Sequence, residues 1–198
     1  TQTTSNMKIN FCNVENEKIK RCFTNVVKRY SNLHQYQIHL QQKQLGGSTM
    51  KAQPVIKLKN LFTEVKEYKI TLGYTVMDSD ILVEEIPDKV LEGWFAHELG
   101  HVSDYESHSN LGMIFYGLKY VFSSSFKKKV EHEADYIALK KGFREEVIAT
   151  KKYILLEGLF SARYISNINK YYLSIEAFEA LENIAEAPQD TLSDIYHE

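Results

Sequence analysis

Hydrophobic positions change their period twice along this chain. Ile19, Cys22, Phe23, Val26, Val27 and Tyr30 recur at three- and four-residue steps, the spacing that gathers side chains on one face of an α-helix. Residues 15–33 are therefore predicted as an amphipathic helix, with Lys18, Lys20, Arg21, Lys28 and Arg29 on its solvated face. The period then drops to two: Tyr36, Ile38 and Leu40 alternate with Gln37, His39 and Gln41, as in a half-buried strand. Gly46 and Gly47 mark a turn. Further strands are predicted at 55–58 and 68–76, the second with Tyr68, Ile70, Leu72 and Tyr74 on one face, and a short one at 81–86. Beyond Pro87 the pattern is helical throughout, over 88–106, 111–122, 126–141, 144–157 and 175–185. There is no internal repeat and no linker beyond a short joint at Ser123, Ser124 and Ser125. The expectation is one α+β domain over 1–198: an N-terminal helix and a small, mostly antiparallel sheet, then a helical part, with 1–14 a flexible N-terminal segment.

Composition narrows the class. With 43% hydrophobic residues, 13 Tyr and 10 Phe but only three Pro, the chain is neither low-complexity nor disordered, and 198 residues suffice to close a core. A formal charge of −2 lacks the basic field of a nucleic-acid binder, so no nucleic-acid partner is expected. If a helix starts near Val14, Cys12 and Cys22 lie roughly 15 Å apart along it, beyond disulfide reach, and Cys22 reads as core. No run of about 20 apolar residues exists to span a bilayer; the longest candidate, 111–122, is interrupted by Lys119. The polar opening Thr1 to Asn6, without an initiator Met, reads as the new N-terminus left by removal of a signal peptide. That points to export or the cell envelope, with the cytoplasm as the alternative.

The chemistry concentrates after Pro87. His97-Glu98-Leu99-Gly100-His101 is an H-E-x-x-H motif within a predicted helix. Four residues make one turn plus about 40°, so both imidazoles leave one face about 6 Å apart along the axis and can share a metal ion. Glu98 lies beside them, placed to take a proton from a water activated by that metal. In a chain with seven His, roughly 0.02 occurrences of this pattern arise by chance. Val90, Trp94 and Tyr105 share the motif face and Leu91, Phe95, Leu99 and Val102 line another, so the helix is apolar nearly all round and reads as buried. A buried His-Glu-His set needs a partner, and a metal supplies one.

A catalytic zinc takes three protein ligands and keeps one position open. A third His six residues past the motif is absent, because Ser107 stands there and His108 is one residue off. The better candidate is Glu131, four residues before Asp135 on one helical face that also carries the small residues Ala134 and Ala138. Small side chains let two helices approach until a carboxylate on one reaches a metal on the other. Asp135 can then accept the remaining ring N–H of a ligand histidine. His132 is an alternative ligand, and Glu133 points elsewhere.

H-E-L-G-H on one helix, followed by E-x-x-x-D with an Ala before the Asp on a later one, resembles the gluzincin metallopeptidases. The likeness is nearest to the group of the CAAX prenyl proteases, the HtpX-like heat-shock peptidases and the β-lactam-sensor peptidases, and it covers residues 87–142. It implies a zincin-like fold and one zinc ion held by His97, His101 and Glu131. It further implies that Glu98 is the general base and that Asp135 orients His97. It also implies that segment 68–76 is the edge strand laid along a peptide or protein substrate. Those relatives are usually embedded in membrane, whereas soluble short members carry the same motif in the wider clan.

The expected activity is thus zinc-dependent peptide hydrolysis, with Glu98 passing the water's proton to the leaving amine. Tyr105, His108, Tyr136, Tyr153, Arg163 and Tyr164 are all suited by type to stabilise the oxyanion. The alternative from another class is a non-catalytic binding or sensor module that keeps its metal for structure. A second alternative lays the apolar segment 111–122 peripherally on a membrane.

Overall fold

A computed structural model describes residues 7–185 of the 198. Four strands, β1 (Lys8–Cys12), β2 (Gln37–Gln42), β3 (Met50–Pro54) and β4 (Glu67–Leu72), form one open sheet in the order β1-β2-β4-β3. The helices are α1 (Glu17–Arg29), α2 (Asp88–Tyr105), α3 (Asn110–Phe122), α4 (Ser124–Lys140), α5 (Arg144–Leu156), α6 (Ala162–Tyr171) and α7 (Ile175–Ala185). The chain is α+β, and its sheet is mixed.

The sheet departs from the mostly antiparallel expectation. β1 and β2 are parallel, β2 and β4 are parallel, and only β3 runs antiparallel to its neighbour β4. The reason lies in β1, which falls inside the segment expected to be flexible. Ile9 and Phe11 pack inward from between Lys8 and Asn10, and α1 then returns the chain so that β2 starts at the same end. Residues 1–6 of that segment lie outside the described residues.

Local signals explain most of the other bounds. The Asn16 side chain accepts from Ile19 N at 3.1 Å and starts α1 two residues later than predicted. The helix ends at Arg29, and Ser31–Leu33 continues as a single 3-10 turn. In β2 the buried residues are Ile38, Leu40 and Gln42, in step with the predicted alternation. The strand expected at 55–58 sits earlier, as β3, and Pro54 is tolerated there because β3 is an edge whose even-numbered N–H positions face away from β4. β4 stops at Leu72, leaving Tyr74 outside it, and 81–86 holds only the Thr75–Leu82 bridge and a 3-10 turn.

The helix α2 is the centre of the packing. It is buried on nearly every side and contacts α1, α4, α5 and β3. Phe23 of α1 meets Phe95 of α2 edge-on at 5.1 Å and Phe11 of β1 at 6.3 Å, linking sheet, α1 and α2 in one core. The Tyr30 hydroxyl, fully buried, donates to Ala96 O at 2.6 Å. Cys22 lies in this core, and Cys12 and Cys22 are both free thiols. Ser123 serves two helices: its N–H donates to Lys119 O and closes α3, while its side chain accepts from Phe126 N and opens α4. That corner turns α4 back across α2. Among the described residues no helix is long and apolar enough to cross a membrane.

Candidate metal centre

The site is built where α4 crosses α2, and a glycine makes the crossing possible. A Cβ on Gly100 would lie 2.5 Å from Ala134 O, closer than any real contact, so the two backbones touch at this point. Glu131, one turn before Ala134, is thereby brought against both histidines of α2. Its Oε2 lies 3.0 Å from His97 Nε2 and 3.2 Å from His101 Nε2. Donors at about 2.0–2.1 Å from a tetrahedral centre stand about 3.3 Å apart, which is the spacing found here. All three ligand atoms fall within 4.8 Å of one another. Two imidazole nitrogens and one carboxylate oxygen form a donor set suited to zinc, with one position left for a reactant.

A relay behind His97 fixes its orientation. His97 Nδ1 donates to Asp135 Oδ1 at 2.8 Å, so Nε2 is the nitrogen turned to Glu131 and His101. The other oxygen of Asp135 accepts from Lys151 Nζ of α5 at 2.7 Å, and the same ammonium donates to Leu173 O at 2.9 Å. Glu131 is held as well, since its Oε1 accepts from the Tyr120 hydroxyl of α3. Each carboxylate therefore has its lone pairs occupied, as burial at 1% and 2% exposure requires.

The electrostatics follow from that contact set. Burial opposes a charge on His97, but the Asp135 and Glu131 carboxylates more than offset it and hold the imidazole at about 10. Burial likewise opposes ionisation of Glu131, yet His101 and His97 keep its carboxyl well below the ordinary carboxylate range. Asp135 is also lowered against the effect of burial, by Lys151 and His97. Glu98 differs. Burial raises its pKa, His101 and His97 oppose the rise, and its carboxylate accepts from the Ala52 N–H of β3.

These side chains line a cleft of about 950 Å³, walled by β3, α3 and α6. Of the residues suited to stabilise an oxyanion, Tyr105 and Tyr164 line it, whereas His108, Tyr136, Tyr153 and Arg163 do not. His108 instead bonds Ser107 and the Asp104 carbonyl, and His132 lies outside the cluster of ligand atoms. The segment 68–76 is not an edge: β4 lies between β2 and β3, and the edge beside the cleft is β3. The pairing partner of β4 went unseen because Lys51 and Gln53 break up the hydrophobic signal of β3.

Three residues of the site escape a sequence reading. Lys151 looks like half of an exposed Lys-Lys pair, but it falls on the stripe of Val147, Thr150 and Ile154, and a cation on an apolar stripe is the signal that marks it. Tyr120 continues the inward face of Met113 and Tyr116 by one turn. Tyr172 follows α6, a helix masked by its run of Ser166, Asn167 and Asn169, and its ring lies 5.3 Å from that of His97. No family model, no curated protein and no solved structure matches this chain.

Proposed function

We propose that this protein is a zinc-dependent peptidase with a zincin-like fold, in which His97, His101 and Glu131 hold one zinc ion and Glu98 is the general base. The observation that carries the reading is the position of Glu98. It is a buried carboxylate beside the ligand set but outside it, raised by burial and aimed by the Ala52 N–H. A site that needed a metal only for structure would gain nothing from holding such a group there. When bound, zinc polarises a carbonyl and acidifies water.

The chain's own residues supply the remaining steps. Glu98 takes the proton of the attacking water and delivers it to the amine that leaves. Asp135 and Lys151 keep the His97 ring in one tautomer and one orientation. Tyr172, beside His97, and Tyr105, whose hydroxyl donates to Ala52 O at 3.4 Å, are the donors placed to meet an oxyanion. An extended substrate lies along β3, where the even-numbered residues Met50 and Ala52 turn their main-chain groups toward the cleft.

Digestion of a diverse peptide mixture by the purified full chain, followed by mass spectrometry, tests the reading. New termini should appear with protein and zinc, vanish with a chelator and return on adding zinc back. A digest unchanged in all three conditions leaves the metal-stabilised binding module as the function of the site.

A further inference from the structure

The helix α3 has two apolar faces, and only one of them is used. Met113, Tyr116 and Tyr120 turn inward toward the metal centre and α4. Leu111, Ile114, Phe115, Leu118, Val121 and Phe122 recur at steps of one and three and lie exposed, Phe115 at 65%, Val121 at 73% and Phe122 at 83%. Asn110, at the start of α3, donates to Asn60 O at 2.6 Å and Val65 O at 3.0 Å. Those bonds fasten a loop with its own outward apolar residues, Phe62 at 83% exposure and Val65 at 64%, beside the first turn. Isolated exposed apolar side chains are ordinary, but a continuous stripe of this length marks a contact surface.

Charge identifies the contact. Between residues 107 and 130 there is no Asp or Glu, while Lys119, Lys127, Lys128 and Lys129 all fall there, in a chain whose formal charge is −2. Lys119 Nζ lies 4.6 Å over the Phe126 ring and Lys127 Nζ 4.3 Å over that of Tyr171, so these ammonium groups rim the apolar corner at Val121 and Phe122. A second copy of the chain would bring two such cationic rims together and be repelled. A protein partner is met across a polar rim that mixes hydrogen-bonding groups of both signs, and this rim offers one sign. Apolar side chains ringed by lysine are matched by acyl chains beneath anionic headgroups.

We infer that α3 docks this protein on the surface of a bilayer containing anionic lipid, with Phe115, Val121 and Phe122 inserted and Lys119, Lys127, Lys128 and Lys129 at the headgroups. Leu118, Val121, Phe122 and Lys127 also line the cleft, so docking sets the cleft mouth at the bilayer surface. Resting on the peptidase reading, this makes the substrates polypeptide segments lying at that surface. The docking itself requires no metal chemistry.

Vesicle flotation of the full chain tests it, with phosphatidylcholine alone and mixed with phosphatidylglycerol. The protein should float with the mixed vesicles, less so as salt rises. Changing Lys128→Gln and Lys129→Gln together should lower partitioning about 25-fold, roughly 5-fold for each lysine. Phe122→Ser should lower it about 10-fold or more. All three positions are exposed, so the variants should melt with wild type. His101→Ala should float as wild type does, which separates failure of the metal site from failure of the surface. No flotation with anionic vesicles, equal flotation of every variant, or a solution dimer that Phe122→Ser converts to monomer would each overturn the assignment.

Discussion

Lys151 Nζ stands 2.7 Å from Asp135 Oδ2, and both side chains are buried, at 8% and 2% exposure. The pair joins α5 to α4 behind the candidate metal centre, and Asp135 passes its effect to His97 Nδ1 at 2.8 Å. A buried pair of this kind contributes little net stability while intact, but loss of one partner strands the other charge.

Lys151→Met should therefore cost about 3–5 kcal/mol of stability, read from urea unfolding. It should also weaken zinc binding about 10–100-fold, read by chelator competition, because His97 loses its fixed orientation. A variant as stable as wild type with unchanged affinity would show that the ammonium is not what holds Asp135.

Gly100→Ala tests the helix crossing. In an isolated helix this change favours folding by about 1 kcal/mol. Here the added Cβ meets Ala134 O at 2.5 Å, and overpacking of about 1–3 kcal/mol outweighs the gain. The helices must part, so Glu131 should leave the histidines and metal content should fall with stability. A variant more stable than wild type would contradict the crossing geometry.

Asp135→Ala should reduce zinc affinity about 10–100-fold, less than Glu131→Ala does and far more than Glu133→Ala. Glu131 lies against both histidines and Asp135 against His97 alone. Elemental analysis after dialysis ranks the three, and a loss with Glu133→Ala equal to that with Asp135→Ala would place the site on the wrong side of α4.

Tyr172→Phe should keep fold and metal while lowering kcat by about 10²-fold or more, with KM little changed, if its phenol is the oxyanion donor beside His97. An unaltered kcat would move the role to Tyr105.

How much of this was legible in the sequence depends on whether the signal is local. The i, i+4 spacing of His97 with His101 and of Glu131 with Asp135 puts each pair on one helical face without any tertiary information. The small residues around Glu131 pointed to a close approach of helices, which the contact of Gly100 with Ala134 provides. Strand pairing is not local. β1 could be recognised only once α1 was seen to return the chain beside it, and the half-polar edge strand β3 lacked the continuous apolar run that marked β4. Hence the cleft edge was placed one strand away from where it lies. Lys151 escaped because pairing with a buried carboxylate reverses the ordinary expectation for a lysine.

The central claim is that one carboxylate of this cleft is needed for chemistry and not for holding the metal, and Glu98→Gln separates the two. Glutamine keeps the size and one acceptor oxygen but cannot take a proton at neutral pH. Metal per chain and peptide turnover, measured on the same preparation, should show zinc retained at the wild-type level and hydrolysis lowered by roughly 10²-fold or more. Turnover equal to wild type with zinc in place would contradict the account.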